Sequence, residues 1–153
     1  QRLAAQLQDH TLARIYECIV VGNLRGDSGT VDASLGRSPN HRKKQAVVPN
    51  GRRAVTHWEV LARYPGFTYV RCRLETGRTH QIRVHMAHLG HPILGDTVYG
   101  AKKPVPGLQG QCLHAVGLRF LHPRTGAPIE LRCPLPEEFL RQLRRLEAGQ
   151  RPL

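Results

Sequence analysis

The chain has 153 residues, enough for one ordinary domain with an apolar core. Its 23 Lys and Arg against 11 Asp and Glu give a net charge of +12, which predicts a polyanionic partner, with RNA or another nucleic acid first. A merely soluble basic protein is the alternative. No apolar run approaches the ~20 residues of a membrane-spanning helix, so no membrane partner is expected.

The four cysteines are widely spaced and include no C-x-x-C pair; they are Cys18, Cys72, Cys112 and Cys133. Such spacing is typical of reduced core residues and not of a disulfide framework. We therefore expect a cytoplasmic protein.

The first 50 residues predict one helix, one buried strand and a surface segment. Gln1–His10 has Leu at i and i+4, which fits a short amphipathic helix. Its first residues resemble the middle of a helix, which suggests a truncated chain. Ile15–Val21 is β-branched and aromatic, as in a buried strand. Residues 25–50 mix Gly, Ser, Asp and Pro, which predicts surface loop with short strands. Their basic cluster, Arg42–Lys44, is either an RNA contact or a solvated face.

A β-hairpin is predicted next. Ala54–Arg63 and Phe67–Glu75 flank Tyr64-Pro65-Gly66, where Pro presets φ and Gly supplies a permissive turn position. In the second strand one set of side chains faces the core, namely Thr68, Val70, Cys72 and Leu74. The other set forms a basic and aromatic row, namely Phe67, Tyr69, Arg71, Arg73 and Glu75.

A helix is predicted over His80–Leu89, with Thr79 as N-cap and Gly90 as its C-terminal stop. Its apolar stripe is Ile82, Met86 and Leu89, so Gln81, Arg83 and the histidines lie off that stripe.

The rest of the chain predicts a loop, a second hairpin and a final helix. Residues 92–110 are rich in Gly and Pro, Leu113–Leu121 and Pro128–Cys133 flank a turn, and a helix follows Pro136 with acidic residues early and arginines late. Together the elements predict one α+β domain, or part of one.

Several chemistries are compatible with residues 71–100. The histidines 85, 88 and 91 have ligand-like spacing, but Gly90 breaks the helix before the third, and no H-E-x-x-H pattern supports a metal or a metal-dependent hydrolase. Gly77-Arg78 at a helix N-terminus suits a phosphate. Arg83 either pairs with a buried carboxylate or keeps a reactive Asp ionised; composition does not distinguish these roles.

A more specific signal is a resemblance to a known family. Residues 76–85 read TGRTHQIRVH, residues 88–96 read HLGHPILGD, and Tyr99-Gly100 follow. This looks like the third motif block of the RluA-type RNA pseudouridine synthases. Further stretches are similar to other family segments, namely residues 7–21, 29–37, 42–44, 113–126 and 134–136.

The resemblance implies an isomerase that converts uridine to pseudouridine in rRNA or tRNA without a cofactor or metal. By position, Tyr16 matches the tyrosine that packs on the base, Arg83 the residue that pairs with the catalytic aspartate, and Leu113 an apolar residue of the base pocket. Arg78, His80 and Gln81 would shape the same cleft, and Arg42, Lys43 and Lys44 would contact RNA. The implied fold is part of a mixed, mainly antiparallel sheet flanked by helices.

One family block has no match in this sequence. The catalytic aspartate of the family lies in an R-L-D-x-x-T-S-G block before the first helix, whereas the similar Leu24–Gly29 follows Tyr16. Asp96 lies in a Gly-Asp turn and is expected to be structural. We therefore expect residues 1–153 to be the C-terminal part of one catalytic domain, inactive alone and able to self-associate through an unpaired sheet edge. A non-catalytic RNA-binding module is the alternative.

Overall fold

The computed structural model describes Ala5 and residues 12–153. Apart from Ala5, which is helical, the predicted helix over Gln1–His10 lies outside the described residues.

The main feature of the fold is a six-stranded antiparallel sheet with the order β2-β5-β6-β1-β7-β8. Its strands are β1 (Ala13–Val21), β2 (Ser28–Asp32), β5 (Val55–Tyr64), β6 (Phe67–Leu74), β7 (Leu113–Leu121) and β8 (Pro128–Arg132). A separate two-stranded ribbon pairs β3 (Leu35–Arg37) with β4 (Gln45–Val47). The two fully described helices are α1 (Gln81–His88) and α2 (Glu137–Glu147). The α+β prediction is confirmed, and every strand ladder among the described residues is antiparallel.

The hairpin of β5 and β6 forms where the sequence predicts it. Tyr64 pairs with Phe67 across the turn, and Gly66 takes φ +80°, the left-handed region that glycine enters easily. The predicted inward set of β6 is buried. Phe67 differs from its prediction: it is 1% exposed, because it lies at the turn end of the sheet beside Val21 and under the Arg151 guanidinium.

Helix α1 begins differently from the prediction. Its N-cap is His80, in the left-handed region (φ 56°, ψ 23°), and no side chain caps it by hydrogen bonding, so the Thr79 prediction is wrong. The Gln81 N–H, one of the donors that a Thr79 cap would bind, instead donates to the Arg78 carbonyl at 3.1 Å, and Thr79 is exposed.

The end of α1 follows the prediction. Gly90 has φ +85°, its N–H donates to the Ala87 carbonyl, and the His91 N–H donates to the Met86 carbonyl, which is the Schellman pattern. The predicted stripe is only partly correct, since Leu89 follows the last helical turn and is 37% exposed. Val84 and His85 are buried instead.

Other predictions hold with two corrections. The second hairpin and the final helix are present, and residues 92–110 contain no regular strand or helix. The surface segment of residues 25–50 contributes Val31 and Leu35 to the core, more than its composition suggests. Cys133 is exposed because it follows the edge strand β8, whereas the other three cysteines are buried. None of the described helices is long and apolar enough to cross a membrane.

Candidate functional site

A cavity of about 270 Å³ lies between β1, the end of β6 and α1. Its wall is formed by Arg14, Tyr16, Leu74, Gly77, Arg78, His80, Gln81, Ile82, Arg83, Gln111 and Leu113. Six predicted site residues are therefore brought together here, namely Tyr16, Arg78, His80, Gln81, Arg83 and Leu113. The other three, Arg42–Lys44, lie apart in the loop between β3 and β4 and do not line this cavity.

Arg83 forms a two-point ion pair with Asp96 from the turn after Gly95. Its Nε donates to Asp96 Oδ2 at 2.9 Å and its Nη2 donates to Oδ1 at 3.0 Å. The Asp96 side chain is fully buried and that of Arg83 is 12% exposed. The sequence left open whether Arg83 pairs with a buried carboxylate or keeps a reactive Asp ionised. The buried carboxylate is present in this chain, and it belongs to Asp96.

The carboxylate of Asp96 is held from several directions. Its Oδ1 also accepts hydrogen bonds from the backbone N–H groups of Val98 and Tyr99. Burial alone would raise the pKa of Asp96, but the hydrogen bonds from Arg83 and from this backbone outweigh it and lower the pKa. Asp96 is therefore ionised and fixes the turn, which agrees with the structural role that its Gly-Asp sequence predicted.

Tyr99 connects this ion pair to His80. The Arg83 guanidinium lies over the Tyr99 ring, 5.2 Å from its centroid, and the Tyr99 hydroxyl is 2.8 Å from His80 Nδ1. Burial, followed by the nearby Arg83 charge, lowers the pKa of His80, while Asp96 opposes the shift. The His80 ring is thus a neutral partner at neutral pH.

The amide of Gln81 is fully used inside the protein. Its Oε1 accepts from the Thr76 hydroxyl and the Arg78 N–H, and its Nε2 donates to the Val55 carbonyl and Thr56 Oγ1. An amide offers two donors and two acceptor lone pairs, so none is left for a ligand. Gln81 therefore supports the cavity wall; a direct contact with RNA is not supported by this geometry.

Several arginines meet at the Gly77-Arg78 turn. Arg78 Nε donates to the Arg53 carbonyl at 2.8 Å, and burial together with the charges of Arg52, Arg53 and Arg14 lowers the pKa of Arg78. The Arg14 guanidinium lies close over Gly77, where a Cβ would come 2.2 Å from Arg14 Nη1 and displace this side chain. A second cavity of about 430 Å³ adjoins the turn and is lined by residues that include Arg37, Arg52 and Arg78.

Tyr16 and Leu113 form the β-sheet side of the first cavity. Both are half-buried, on the neighbouring strands β1 and β7. The Tyr16 side chain lines the cavity, and its hydroxyl has no hydrogen-bond partner within residues 12–153.

The histidine motif does not assemble into a metal centre in the described part of the chain, where no group of three potential ligands converges. His85 is buried, with Nδ1 2.8 Å from Thr56 Oγ1 and Nε2 2.9 Å from the Ala33 carbonyl. Sequence reasoning missed Tyr99 and Arg14 as neighbours of the cavity. Tyr99 belongs to the Tyr99-Gly100 pair of the third motif block, which could have identified it. Nothing in the sequence around Arg14 distinguishes this arginine from the other basic residues of the chain.

The comparisons with known proteins agree with these motifs. Residues 1–88 match the RNA pseudouridylate synthase family. The chain is 48% identical over 139 residues to the uncharacterized RNA pseudouridine synthase YlyB of Bacillus subtilis, covering 91% of this chain and 46% of that protein. It is 46% identical over 151 residues to the ribosomal large subunit pseudouridine synthase D of Pseudomonas aeruginosa, covering 91% and 47%.

Two solved human structures share the fold. The RNA pseudouridylate synthase domain containing 4 protein has a TM-score of 0.73 at 24% identity, covering 95% of this chain and 66% of its own. The domain containing 1 protein has a TM-score of 0.70 at 23% identity, covering 98% and 71%. The chain spans about half the length of the curated relatives. With its family match and its third-block motif, the chain belongs to the RluA-type RNA pseudouridine synthases.

Proposed function

We propose that the protein containing this chain isomerises uridine to pseudouridine in ribosomal or transfer RNA in the cytoplasm, as an intramolecular transferase. The observation that supports this most directly is the 270 Å³ cavity, where Tyr16, Arg83 and Leu113 lie around one space. A base-sized ligand there would meet an aromatic ring, an apolar side chain and a guanidinium.

In the proposed reaction the product has the same atoms as the substrate. An aspartate assists breaking of the C1′–N1 bond, the uracil turns in place, C5 bonds to C1′, and the C5 proton is lost as N1 gains one. Tyr16 packs on the base, Leu113 excludes water from it, and Arg83 pairs with the aspartate. The aspartate comes from an Arg-Leu-Asp block outside residues 1–153, so that these residues are the C-terminal part of one catalytic domain and are inactive alone.

The arginine cluster around Gly77 supports RNA as the substrate. The charges of Arg52, Arg53 and Arg14 each repel that of Arg78, and a phosphate beside Arg78 would relieve this repulsion. Because Arg78 lines both cavities, it would contact the RNA backbone next to the base being isomerised. Arg42, Lys43 and Lys44 would extend the same positive surface from their exposed loop.

The test compares the complete protein with the 153-residue chain. Each is incubated with uridine-containing ribosomal and transfer RNA, and pseudouridine is mapped with carbodiimide. We expect product from the complete protein, none from the chain alone and none from Arg83→Met; the control Arg124→Met, on the exposed turn after β7, should retain activity. Product from the 153-residue chain alone would contradict its assignment as a partial catalytic domain.

The net charge of +12 also favours a second candidate, a non-catalytic RNA-binding module. For that function the complete protein would bind RNA with an affinity that falls as salt rises, yet would form no pseudouridine on any RNA. An Arg-Leu-Asp block upstream of Gln1 in the gene would favour the enzyme over this module.

A further inference from the structure

The Arg83 guanidinium has two usable edges. A planar guanidinium binds one carboxylate along its Nε–Nη edge and a second across its Nη1–Nη2 end. In this structure Asp96 occupies the first edge, through Nε and Nη2. The hydrogens of Nη1 have no partner in the part of the chain that the structure describes.

The occupied edge is rigidly supported. Asp96 is anchored by the backbone N–H groups of Val98 and Tyr99, and the Tyr99 ring lies against the guanidinium. Rotation of Arg83 about its long side chain would therefore break two charged hydrogen bonds in a nearly dry environment. The guanidinium is held in one orientation before any ligand binds.

Arg83 also lines the 270 Å³ cavity. Because Asp96 occupies the Nε–Nη2 edge of Arg83, the Nη1–Nη2 end is the one left to donate hydrogen bonds to a group in that cavity. The charged and titratable groups around Arg83 are Asp96, Tyr99 and His80 on its own side, with Arg14 and Arg78 in the wall of the cavity.

We propose that Asp96 is a positioning residue that binds one edge of Arg83 so that the other end receives a second carboxylate, that of the aspartate in the proposed reaction. This inference rests on the proposed function. Asp96 itself touches neither substrate nor the reacting atoms. Its charge also offsets part of the Arg83 charge, so the second carboxylate meets a weaker positive field than a lone arginine would provide.

The test uses the complete protein with Asp96→Asn. The amide can still accept from the Val98 and Tyr99 N–H groups but opposes Arg83 with a donor, so the guanidinium loses its fixed orientation. We expect kcat to fall by roughly tenfold or more, because small misplacements of reacting groups are costly, with KM for RNA nearly unchanged. The acid limb of the pH–rate profile should move to lower pH by about half a unit, since the offsetting charge is gone.

His80 does not produce this pH shift. Asp96 raises its pKa, so removing the Asp96 charge keeps His80 neutral over a wider range. The matched control is Asp27→Asn, an exposed aspartate in the turn before β2, whose side chain is 99% exposed; it should leave kcat and the pH profile unchanged.

Two further measurements separate positioning from folding. Arg83→Lys keeps the charge but has no second edge, so it should lower kcat without changing KM even if Asp96→Asn unfolds. In NMR spectra of the wild-type protein the Arg83 Nε–H should exchange slowly with solvent, whether or not the protein forms pseudouridine. Three results would each overturn the proposal. The first is a folded Asp96→Asn variant with the kcat and pH profile of the wild type, and the second is a variant with lower kcat but an unshifted acid limb. The third is an Arg83 Nε–H that exchanges rapidly with solvent.

Discussion

His85 is a buried histidine that the structure holds in its neutral form. A carbonyl only accepts hydrogen bonds, so Nε2 donates to Ala33 and Nδ1 is left to accept from the Thr56 hydroxyl. Burial lowers the pKa of His85; the Ala33 carbonyl opposes the shift, His88 adds to it and Asp32 opposes it. The first of the three histidines with ligand-like spacing therefore connects α1 to the sheet.

The lowered pKa predicts a pH-dependent stability. In the unfolded chain His85 has an ordinary histidine pKa of about 6.5, so below that pH the unfolded chain binds more protons than the folded chain. The contribution of neutral His85 to the free energy of unfolding is therefore fully present above a pH of about 6.5. It is lost as the pH falls through the lower pKa of His85 in the folded protein. We expect wild-type protein to lose more free energy of unfolding between pH 7.5 and 5.5 than His85→Gln, measured by urea denaturation.

The control is His41→Gln, which changes an exposed histidine in the loop between β3 and β4. It should follow the wild type, and His80, whose pKa is also lowered, contributes alike to all three proteins. Equal losses in wild type and His85→Gln would contradict the prediction.

Helix α1 is attached to the sheet by polar contacts at its first residue as well as by its apolar side chains Ile82 and Met86. Gln81 binds the backbone and a hydroxyl of β5 through its Nε2, and the turn after β6 through its Oε1. These contacts set the position from which Arg83, half a turn later, enters the cavity. Part of the stability of this element therefore comes from a buried side chain that polarity alone would assign to the surface.

Gln81→Leu should destabilise the protein by about 2–4 kcal/mol, because it leaves several buried donors and acceptors unpaired. Urea denaturation measures the loss, and hydrogen exchange should show faster opening of the α1 amides than of those in β1.

Gln109→Leu, an exposed change in the loop before β7, controls for added apolar surface and should cost little. A loss below about 0.5 kcal/mol for Gln81→Leu would contradict the network, since that is the size of an ordinary surface effect.

Elements with a local signal were predictable. The β5–β6 hairpin follows from alternation around Pro65-Gly66, and the end of α1 follows from Gly90. The entry of α1 was not predictable, because the Gln81 side chain binds two residues of β5 that lie 26 and 25 positions earlier in the chain. In the site, the motif residues were identified through the family resemblance, but the Arg83–Asp96 geometry depends on a turn whose path the pattern does not specify.

At the scale of the whole molecule, the described sheet ends at β2 on one side and β8 on the other. The β8 edge includes Leu131, which is 54% exposed, and Leu121 of the adjacent β7 is also exposed. An unpaired strand edge with apolar side chains is a template for pairing with another chain. The predicted self-association of residues 1–153 would therefore use β8.

Sedimentation velocity of the 153-residue chain should show a mass that rises with concentration. Leu131→Glu should shift the distribution towards monomer, because it places a charge on the pairing edge. The control Val98→Glu changes an exposed apolar residue outside the strands and should not. A monomer at every concentration would argue against association through β8.

The left-handed backbone of His80 has an evolutionary consequence. It is the one non-glycine residue with positive φ among those described, a conformation that costs roughly 1–2 kcal/mol. Glycine would adopt it without that cost but would leave the Tyr99 hydroxyl without its imidazole partner. Laboratory selection for heat resistance alone should therefore favour glycine at position 80, whereas selection for catalysis should retain histidine; the two pressures oppose each other at the entrance of α1.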